Sequence, residues 1–294
     1  MAIKAKDSKS KGSSAAKDGQ DKKKKNESKA GEKDVVVLRA DRLNEDKYER
    51  TKRIPFLDID KIQNARILMV GCGAIGNEVA KNLVLAGFRN LSIIDMDYIV
   101  RSNLNRCLFF TDLDADKKRL KAEVIAEKIK QMDSEVKVEH YSKKIEDMPE
   151  DFIPSHNVVL GCLDNVGARL HLNAHSYYNK IPYIDAATLG LVGKVQVVIP
   201  PETSCLECGM NKTHMKIMEK RFSCTGTDIT FFEQKMPAEI TTTAIVSAIQ
   251  VRETLKIVSG HGDKTIRNLF YYDGKRNVSD ELEIDINPDC PHHY

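Results

Sequence analysis

Three glycines early in the sequence have the spacing that could hold a phosphate. Gly71, Gly73 and Gly76 form a G-x-G-x-x-G pattern, with the apolar run 67–69 before them and the helix-compatible stretch 77–85 after them. The apolar run predicts a buried strand. In this setting the glycines let the backbone turn tightly, and the helix N-terminus offers unpaired N–H groups to an anion. The segment therefore predicts a nucleotide-binding loop.

An acidic residue follows this loop at the distance expected for a ribose ligand. Asp95 lies 19 residues after Gly76, and a spacing of about 20 residues places such a side chain at the ribose hydroxyls. The pattern fits an NAD-dependent dehydrogenase, which is the natural rival hypothesis. However, the segment 95–106 is dense in polar and cationic residues. Such a segment favours a nucleotide whose phosphates react over a redox cofactor that is only held.

Further charged residues follow in two places. Lysines and an arginine cluster at 117–121, and Asp164 with Asn165 follows the apolar strand predicted at 158–160. The basic cluster is either the solvated face of a helix start or a phosphate contact. Asp164 is either the N-cap of the next helix or a metal ligand, because ligands bind at the carboxyl ends of parallel strands.

Short apolar strands alternate with helical patterns along the body of the chain. This alternation predicts an α/β fold with a doubly wound, mostly parallel sheet, and the last two strands favour an antiparallel extension. The strands are predicted at 66–70, 91–94, 136–140, 158–161, 181–185, 194–199 and 268–272, and the helices at 77–86, 120–131, 166–179 and 243–258.

The sequence has seven cysteines, and their placement favours thiols and metal ligands over disulfides. Cys205 and Cys208 form a C-x-x-C pair, and Cys290 with His293 offers a second half, so that four ligands could close a structural zinc site. His292 is the alternative fourth ligand, and a redox pair at 205 and 208 is the alternative function.

Cys224 stands apart from the other cysteines. It lies in a polar segment three residues after Arg221. A cation near a partly exposed thiol lowers its pKa and favours attack as a thiolate. Cys224 is therefore a candidate nucleophile, and the alternative is an adventitious loop cysteine.

Charge is distributed unevenly over the 294 residues, which carry a net charge of +3. Residues 1–34 hold eleven lysines and six acidic residues with almost no large apolar side chain, so we predict a disordered Lys-rich tail before a domain at 35–294. No aromatic residues alternate with these lysines, and we expect no nucleic-acid partner, although a docking arm is an alternative. We also expect a cytoplasmic protein without a membrane partner, since neither a signal peptide nor a run of about 20 apolar residues is present.

Several of these motifs together resemble one known family. The phrases GCGAIG, KNLVLAGFRNLSIIDMDYIVRSNLNR, KRLKAEV, GCLDNVGAR and CLEC are similar, in order, to the ThiF/MoeB-like adenylating superfamily over residues 48–294. The longest agreement resembles the catalytic subunits of NEDD8- and SUMO-type activating enzymes. The resemblance implies a Rossmann-like fold and ATP-dependent adenylation of the C-terminus of a ubiquitin-like modifier.

The resemblance also implies a role for each matching residue. Lys118 is a weaker alternative to Lys121, because the chain has two more residues between Arg106 and Lys121 than the family pattern. The implied nucleotide-binding set is Gly71, Gly73, Ala74, Gly76, Asp95, Asp97, Ser102, Asn103, Arg106, Lys121, Asp164 and Asn165, with Asp164 as the Mg²⁺ ligand and with Arg106, Lys121 and Asp164 as catalytic residues.

Partner interactions are implied in the same way. The phrase 48–53 resembles a family motif whose arginine reaches the other subunit's ATP site, so Arg50, or Arg53 as the alternative, implies a homodimer. A Cys-Thr pair like Cys224-Thr225 carries the modifier as a thioester in the resembling enzymes. Those enzymes insert a helical domain after the pair, whereas here only 226–237 separates the pair from the next family-like stretch, 238–244, which makes this chain a compact form.

The metal and substrate expectations follow from the same family. A zinc site is common at the positions of Cys205, Cys208, Cys290 and His293. The expected cofactors are therefore ATP, Mg²⁺ and Zn²⁺, and the expected partners are a Gly-Gly-ended ubiquitin-like or sulfur-carrier protein and a conjugating enzyme. Two alternatives stay open, namely a sulfur-carrier adenylyltransferase without a thioester, and a non-catalytic scaffold subunit.

Overall fold

The strand before the glycine loop lies in the middle of one eight-stranded sheet. The computed structural model describes residues 46–210, 237–267 and 269–293. The strand order is β3-β2-β1-β4-β5-β6-β7-β8; β1 to β5 are parallel, and β6 to β8 continue the sheet antiparallel. The strands are β1 Arg66–Val70, β2 Asn90–Ile94, β3 Lys137–Tyr141, β4 Val158–Gly161, β5 Tyr183–Leu189, β6 Val192–Val198, β7 Leu269–Asp273 and β8 Val278–Leu282. The predicted mostly parallel sheet with an antiparallel extension is confirmed.

Helices cover both faces of the parallel part. Within the described residues they are α1 Glu49–Lys52, α2 Ile59–Asn64, α3 Ala74–Ala86, α4 Asp112–Asp116, α5 Lys121–Met132, α6 Val166–Tyr178 and α7 Ile240–Val258. Side chains of α3, α5 and α7 form one buried core with residues such as Ile67 and Val195. Leu172 and Tyr177 of α6 form a second core on the opposite face with Leu68 and Tyr183. This layering is that of a doubly wound α/β domain.

Five of the seven predicted strands differ in their bounds, and the largest difference, in β5, has a physical reason. The strand predicted at 181–185 begins at Tyr183, because the N–H of Ile181 donates to Ser176 O (2.9 Å) and closes the end of α6 instead. It then extends to Leu189 through its antiparallel pairing with β6. Strand β8 was not predicted, and all five of its residues are exposed. An exposed edge strand lacks the apolar pattern by which buried strands are recognised.

Two helices, α3 and α7, begin three residues earlier than predicted, and the reason is clearest for α7. The pattern predicts a start at 243, whereas α7 begins at Ile240, directly after Glu239. The Glu239 carboxylate accepts hydrogen bonds from Thr241 N (2.7 Å) and Thr242 N (2.9 Å). The Thr241 hydroxyl, which donates to Glu239 Oε2 (2.6 Å), and these two N–H groups together lower the pKa of Glu239 to about 2. An N-cap of this kind satisfies backbone donors that would otherwise lack partners.

The predicted Lys-rich tail 1–34 and the candidate nucleophile Cys224 lie outside the described residues. Among the residues that are described, no helix is both long and apolar enough to cross a membrane.

Candidate nucleotide site and metal centre

The glycine loop lies in the crevice where the chain reverses its direction of winding. Strand β1 is flanked by β2 on one side and β4 on the other, which is the position where doubly wound sheets bind ligands. Gly71 has a φ of +99°, and a Cβ atom there would lie 2.4 Å from the carbonyl oxygen of Cys162. The loop therefore fits against the end of β4 only with glycine at this position.

The other two glycines of the motif have different surroundings. A Cβ atom on Gly76 would lie 2.1 Å from Gly71 O, whereas a Cβ atom on Gly73 would have nothing within 4 Å. Gly73 is the N-cap of α3 and has no side chain, so the first N–H groups of α3 have no side-chain cap. Unpaired N–H groups at a helix start, beside a space of this kind, fit a phosphate group.

Two carboxylates and one lysine lie beside this loop. Asp95 accepts hydrogen bonds from Cys72 N (2.6 Å) and Asp97 N (2.8 Å). Lys121 Nζ lies 2.7 Å from Asp97 Oδ2. Burial raises the pKa of Asp95, against the effect of Lys121 and of the two N–H donors. Burial also opposes the charge on Lys121, but Asp95 and Asp97 outweigh it and raise the pKa of Lys121.

The alternative lysine is placed elsewhere. Lys118 is exposed and has a φ of +48°. Its Nζ atom lies 5.7 Å from the centroid of the Tyr98 ring, and it has no carboxylate partner among the described residues. The structure thus brings Lys121, and not Lys118, to the two carboxylates of the loop.

The residues expected at the phosphates lie in the turn that follows β2. Asn103 Oδ1 accepts from Val100 N (3.0 Å) and so closes a short 3₁₀ turn. The Arg106 guanidinium donates to the carbonyl oxygen of Ser102 and to Asn105 Oδ1 (2.9 Å). Arg106 is thus held by its own turn, and it must exchange these bonds to contact a phosphate.

The two polar residues after β4, Asp164 and Asn165, have different roles. Asn165 is the N-cap of α6, and its Oδ1 accepts from Ala168 N (3.1 Å). Asp164 is therefore not the cap, and its exposed carboxylate makes no hydrogen bond or ion pair with a described residue. Cys162 N donates to Val70 O (2.8 Å), which ties this segment to the glycine loop. One carboxylate combined with substrate phosphates is a suitable ligand set for Mg²⁺.

The two candidate arginines of α1 differ in their contacts. Arg53 Nε donates to Glu49 Oε1 (2.8 Å), whereas Arg50 is exposed and has no side-chain bond to a described residue. Helix α1 is anchored by Tyr48, which is buried against Gly87. Arg50 is therefore the arginine that is available to a partner molecule.

The four predicted metal ligands lie together, although they come from two distant segments. Ligand atoms of Cys205, Cys208, Cys290 and His293 all lie within 4.8 Å of one another. Cys205 Sγ is 3.8 Å from Cys208 Sγ and 3.5 Å from Cys290 Sγ, and Cys208 Sγ is 3.2 Å from His293 Nε2. Cys205 is thus as close to Cys290 as to Cys208, and this geometry favours a four-ligand site over a redox pair. Three sulfurs and one nitrogen are a ligand set that zinc takes in closed structural sites.

The alternative histidine points to another partner. His292 Nε2 lies 2.9 Å from Glu207 Oε1.

Burial raises the pKa of the Cys290 thiol to about 12, so a metal at this position would have to displace its proton.

Three further cysteines are buried packing residues. Cys72, Cys107 and Cys162 lie in the core around α3. Burial raises the pKa of each thiol, that of Cys107 to about 11. Such thiols are poor nucleophiles near neutral pH.

The sequence analysis did not identify a buried ion pair that links α6 to β5. Arg169 donates to Asp185 from Nε (2.8 Å) and from its terminal nitrogen, and Tyr183 Oη donates to Asp185 Oδ1 (3.0 Å). Asp185 is only 1% exposed. Arg169 belongs to the GCLDNVGAR phrase, which was the available signal, but the spacing alone did not identify its partner.

These features agree with a comparison against known protein families. Residues 47–292 match the model of the ThiF family. The chain belongs to the ThiF family.

Curated relatives are activating-enzyme subunits. The chain is 38% identical over 151 residues to SUMO-activating enzyme subunit 2 of Dictyostelium discoideum, which covers 51% of this chain and 22% of that protein. It is 34% identical over 167 residues to the NEDD8-activating enzyme E1 catalytic subunit of Caenorhabditis elegans, covering 52% and 38%. The chain thus spans less than half the length of these relatives.

Solved structures give the same fold. Escherichia coli MccB is matched with a TM-score of 0.68 at 20% identity, over 86% of this chain and 73% of MccB. MccB crystallised with ATP is matched with a TM-score of 0.64 at 22% identity, over 79% and 68%. The doubly wound sheet with its antiparallel extension is thus a fold that known proteins share.

Proposed function

We propose that this ThiF-family chain activates the C-terminal carboxylate of a small Gly-Gly-ended protein by transferring adenylate from ATP. The observation that carries the proposal is the arrangement at the ends of β1 and β4. There Asp95 accepts from Cys72 N of the glycine loop, Lys121 is paired with Asp97, and the unpaired carboxylate of Asp164 follows the end of β4, which packs against Gly71. Membership of the ThiF family and similarity to SUMO- and NEDD8-activating subunits support the same substrate class.

The side chains of the candidate site have two proposed roles: some hold the nucleotide, and others stabilise the charge that develops during the reaction. Asp95 accepts hydrogen bonds from the ribose hydroxyls, and the N–H groups at the start of α3 donate to a phosphate. Asp97 holds Lys121 through their ion pair (2.7 Å), and Asn103 closes the turn that carries Arg106. Lys121 and Arg106 place fixed positive charge where negative charge develops as the carboxylate oxygen attacks the α-phosphate and pyrophosphate leaves. Asp164 would hold Mg²⁺, which supplies further charge neutralisation when bound.

The second arginine of the site is proposed to come from another copy of the chain. The exposed Arg50 of α1 has no partner among the described residues of its own subunit, so we propose that it completes the partner's site in a homodimer. The test mixes Arg50→Ala with Asp164→Ala protein. If Arg50 acts in trans, half of a random mixture is mixed dimers with one intact site each, which restores about a quarter of wild-type activity. If it acts within its own subunit, the mixture stays inactive. Arg53→Ala is the matched control.

A thioester step is the finer part of the proposal. Cys224 would take the modifier from the adenylate, releasing AMP, and pass it to a conjugating enzyme; the sulfur-carrier alternative lacks this step. Cys224→Ala separates the two. Modifier-driven ATP–pyrophosphate exchange survives in both cases, whereas a reductant-sensitive adduct is lost only if Cys224 is the carrier. An adduct that persists in the variant would exclude Cys224.

The metal centre is proposed to bind one structural Zn²⁺ through Cys205, Cys208, Cys290 and His293. Four ligands leave no open position for catalysis. Asn173 Nδ2 is buried and has no hydrogen-bond partner among the described residues, and a charged thiolate in this cluster would be a suitable acceptor for it. Metal analysis of the purified chain tests the proposal: one zinc per chain is expected, with loss in Cys208→Ala and retention in His292→Ala.

The central experiment for the function is a product analysis with ATP and Mg²⁺. Incubation with Gly-Gly-ended proteins is expected to give pyrophosphate and an acyl-adenylate. Lys121→Ala and Asp164→Ala are expected to abolish both. A scaffold subunit would bind ATP without exchange, but the retention of Arg106, Lys121 and Asp164 argues against this alternative.

A further inference from the structure

One buried hydroxyl contacts the histidine of the metal centre. Tyr177 Oη lies 2.8 Å from His293 Nδ1, and the two ring centroids are 4.5 Å apart. The opposite nitrogen of the imidazole, Nε2, lies 3.2 Å from Cys208 Sγ. An imidazole that gives its Nε2 lone pair to a metal carries its proton on Nδ1, so the Tyr177 oxygen accepts that proton's hydrogen bond. The contact fixes both the tautomer and the ring orientation that the metal centre requires.

A second side chain of the same helix face lies beside the cysteines. Asn173 is wholly buried, one helical turn before Tyr177. Its Oδ1 accepts from Leu206 N (2.9 Å), next to Cys205, but its Nδ2 has no hydrogen-bond partner among the described residues. An unpaired buried donor costs roughly 1–3 kcal/mol.

The unpaired Nδ2 donor of Asn173 has an explanation if the sulfurs of the metal centre are charged. A thiolate accepts hydrogen bonds strongly, whereas a neutral thiol is a weak acceptor. Metal binding converts the cysteines to thiolates and so supplies the acceptor that Asn173 Nδ2 lacks. By contrast, His292 Nε2 is bonded to Glu207 Oε1 (2.9 Å) and is not directed at the sulfurs. Of the two histidines, it is therefore His293 that Tyr177 orients toward the cluster.

We propose that α6 supplies the outer hydrogen-bonding layer of the metal centre, with Tyr177 positioning His293 and Asn173 donating to the Cys205 thiolate. This inference rests on the proposed zinc site and goes beyond its four ligands. The helix begins beside Asp164 and spans 13 residues, about 20 Å. The metal centre therefore anchors the far end of the helix that starts at the nucleotide site.

The test measures zinc affinity of the full chain by competition with a chromophoric chelator. Tyr177→Phe removes only the hydroxyl, and Asn173→Asp keeps the acceptor for Leu206 N while it removes the Nδ2 donor. Each is expected to weaken zinc binding by about 10- to 100-fold. Tyr178→Phe is the matched control, because Tyr178 is the next residue and is 86% exposed, and its affinity is expected to stay within about twofold of wild type.

Two further readouts separate positioning from simple packing. The zinc-induced rise in Tm should be smaller in Tyr177→Phe than in wild type, and the sulfur-to-metal charge-transfer band of the Co²⁺ form should shift. Equal losses of Tm with and without metal, or zinc affinity within twofold of wild type in both variants, would overturn the proposal. A wild-type chain that binds no zinc would overturn the zinc site itself, and this result is distinguishable because it does not depend on any variant.

Discussion

Two alanine substitutions in the glycine loop should separate folding from nucleotide binding. In Gly76→Ala the new Cβ would lie 2.1 Å from Gly71 O, so backbone must move by about 1 Å to reach ordinary contact. Overpacking of this kind costs about 1–3 kcal/mol or more, and the higher helix propensity of alanine offsets at most about 1 kcal/mol. In Gly73→Ala the Cβ enters open space, and the N-cap change costs only about 0.5 kcal/mol.

ATP affinity should separate the same two variants in the opposite sense, because Gly73→Ala is the variant expected to lose it. If the open space at Gly73 holds a phosphate, the added methyl group blocks it, and ATP affinity falls by roughly tenfold or more, about 1.4 kcal/mol. Urea unfolding and ATP titration of both variants form the assay. We expect Gly76→Ala to lose stability, and Gly73→Ala to keep its stability but lose affinity. A Gly73→Ala chain that binds ATP like wild type, or a Gly76→Ala chain that is fully stable, would refute the reasoning.

Three other predictions concern single side chains. Lys121→Ala should lower ATP–pyrophosphate exchange by about 10²- to 10³-fold, and exchange within tenfold of wild type would contradict its role. Arg169→Met strands the buried Asp185 and should cost about 3–5 kcal/mol in urea unfolding, whereas the exposed pair of Arg53 should be worth less than about 1 kcal/mol; equal losses would be inconsistent with this view. Glu239→Gln should cost about 1 kcal/mol at neutral pH. Because the folded pKa of Glu239 is lowered from 4.5 to about 2, this difference should persist above pH 4.5 and disappear toward pH 2, and a difference independent of pH would argue against it.

Much of the parallel sheet was predictable, because buried parallel strands have a simple pattern. Strands β1 and β4 were predicted with their observed bounds, 66–70 and 158–161. Each is a continuous apolar run, as expected for strands covered on both faces. Strand β8 could not be predicted, since its exposed residues obtain their conformation from pairing with β7 and not from their own pattern.

Candidate site residues could be proposed from the sequence where one segment carries the chemistry. The glycine loop and Asp95 are close in sequence, and the family resemblance supplied Lys121 and Asp164. The structure added what depends on distant partners. It identifies Asn165, and not Asp164, as the cap of α6.

Residues that act on others left the weakest sequence signal. Tyr177 and Asn173 lie in an ordinary amphipathic helix, where an aromatic residue and a buried polar residue are common. Their importance follows only from the folded chain, which brings residues 290–293 against α6. Spacing could indicate the ligands of the metal centre, but it could not indicate the groups that orient them.

The most direct test of the central claim is to determine which phosphate of ATP is attacked. The chain is incubated with α-labelled ATP, Mg²⁺ and Gly-Gly-ended small proteins, and products are followed by thin-layer chromatography and intact mass. The account predicts pyrophosphate release and a labelled protein adenylate, both absent in Lys121→Ala. Formation of ADP, or AMP production that is independent of any added protein and unchanged in Lys121→Ala, would contradict it.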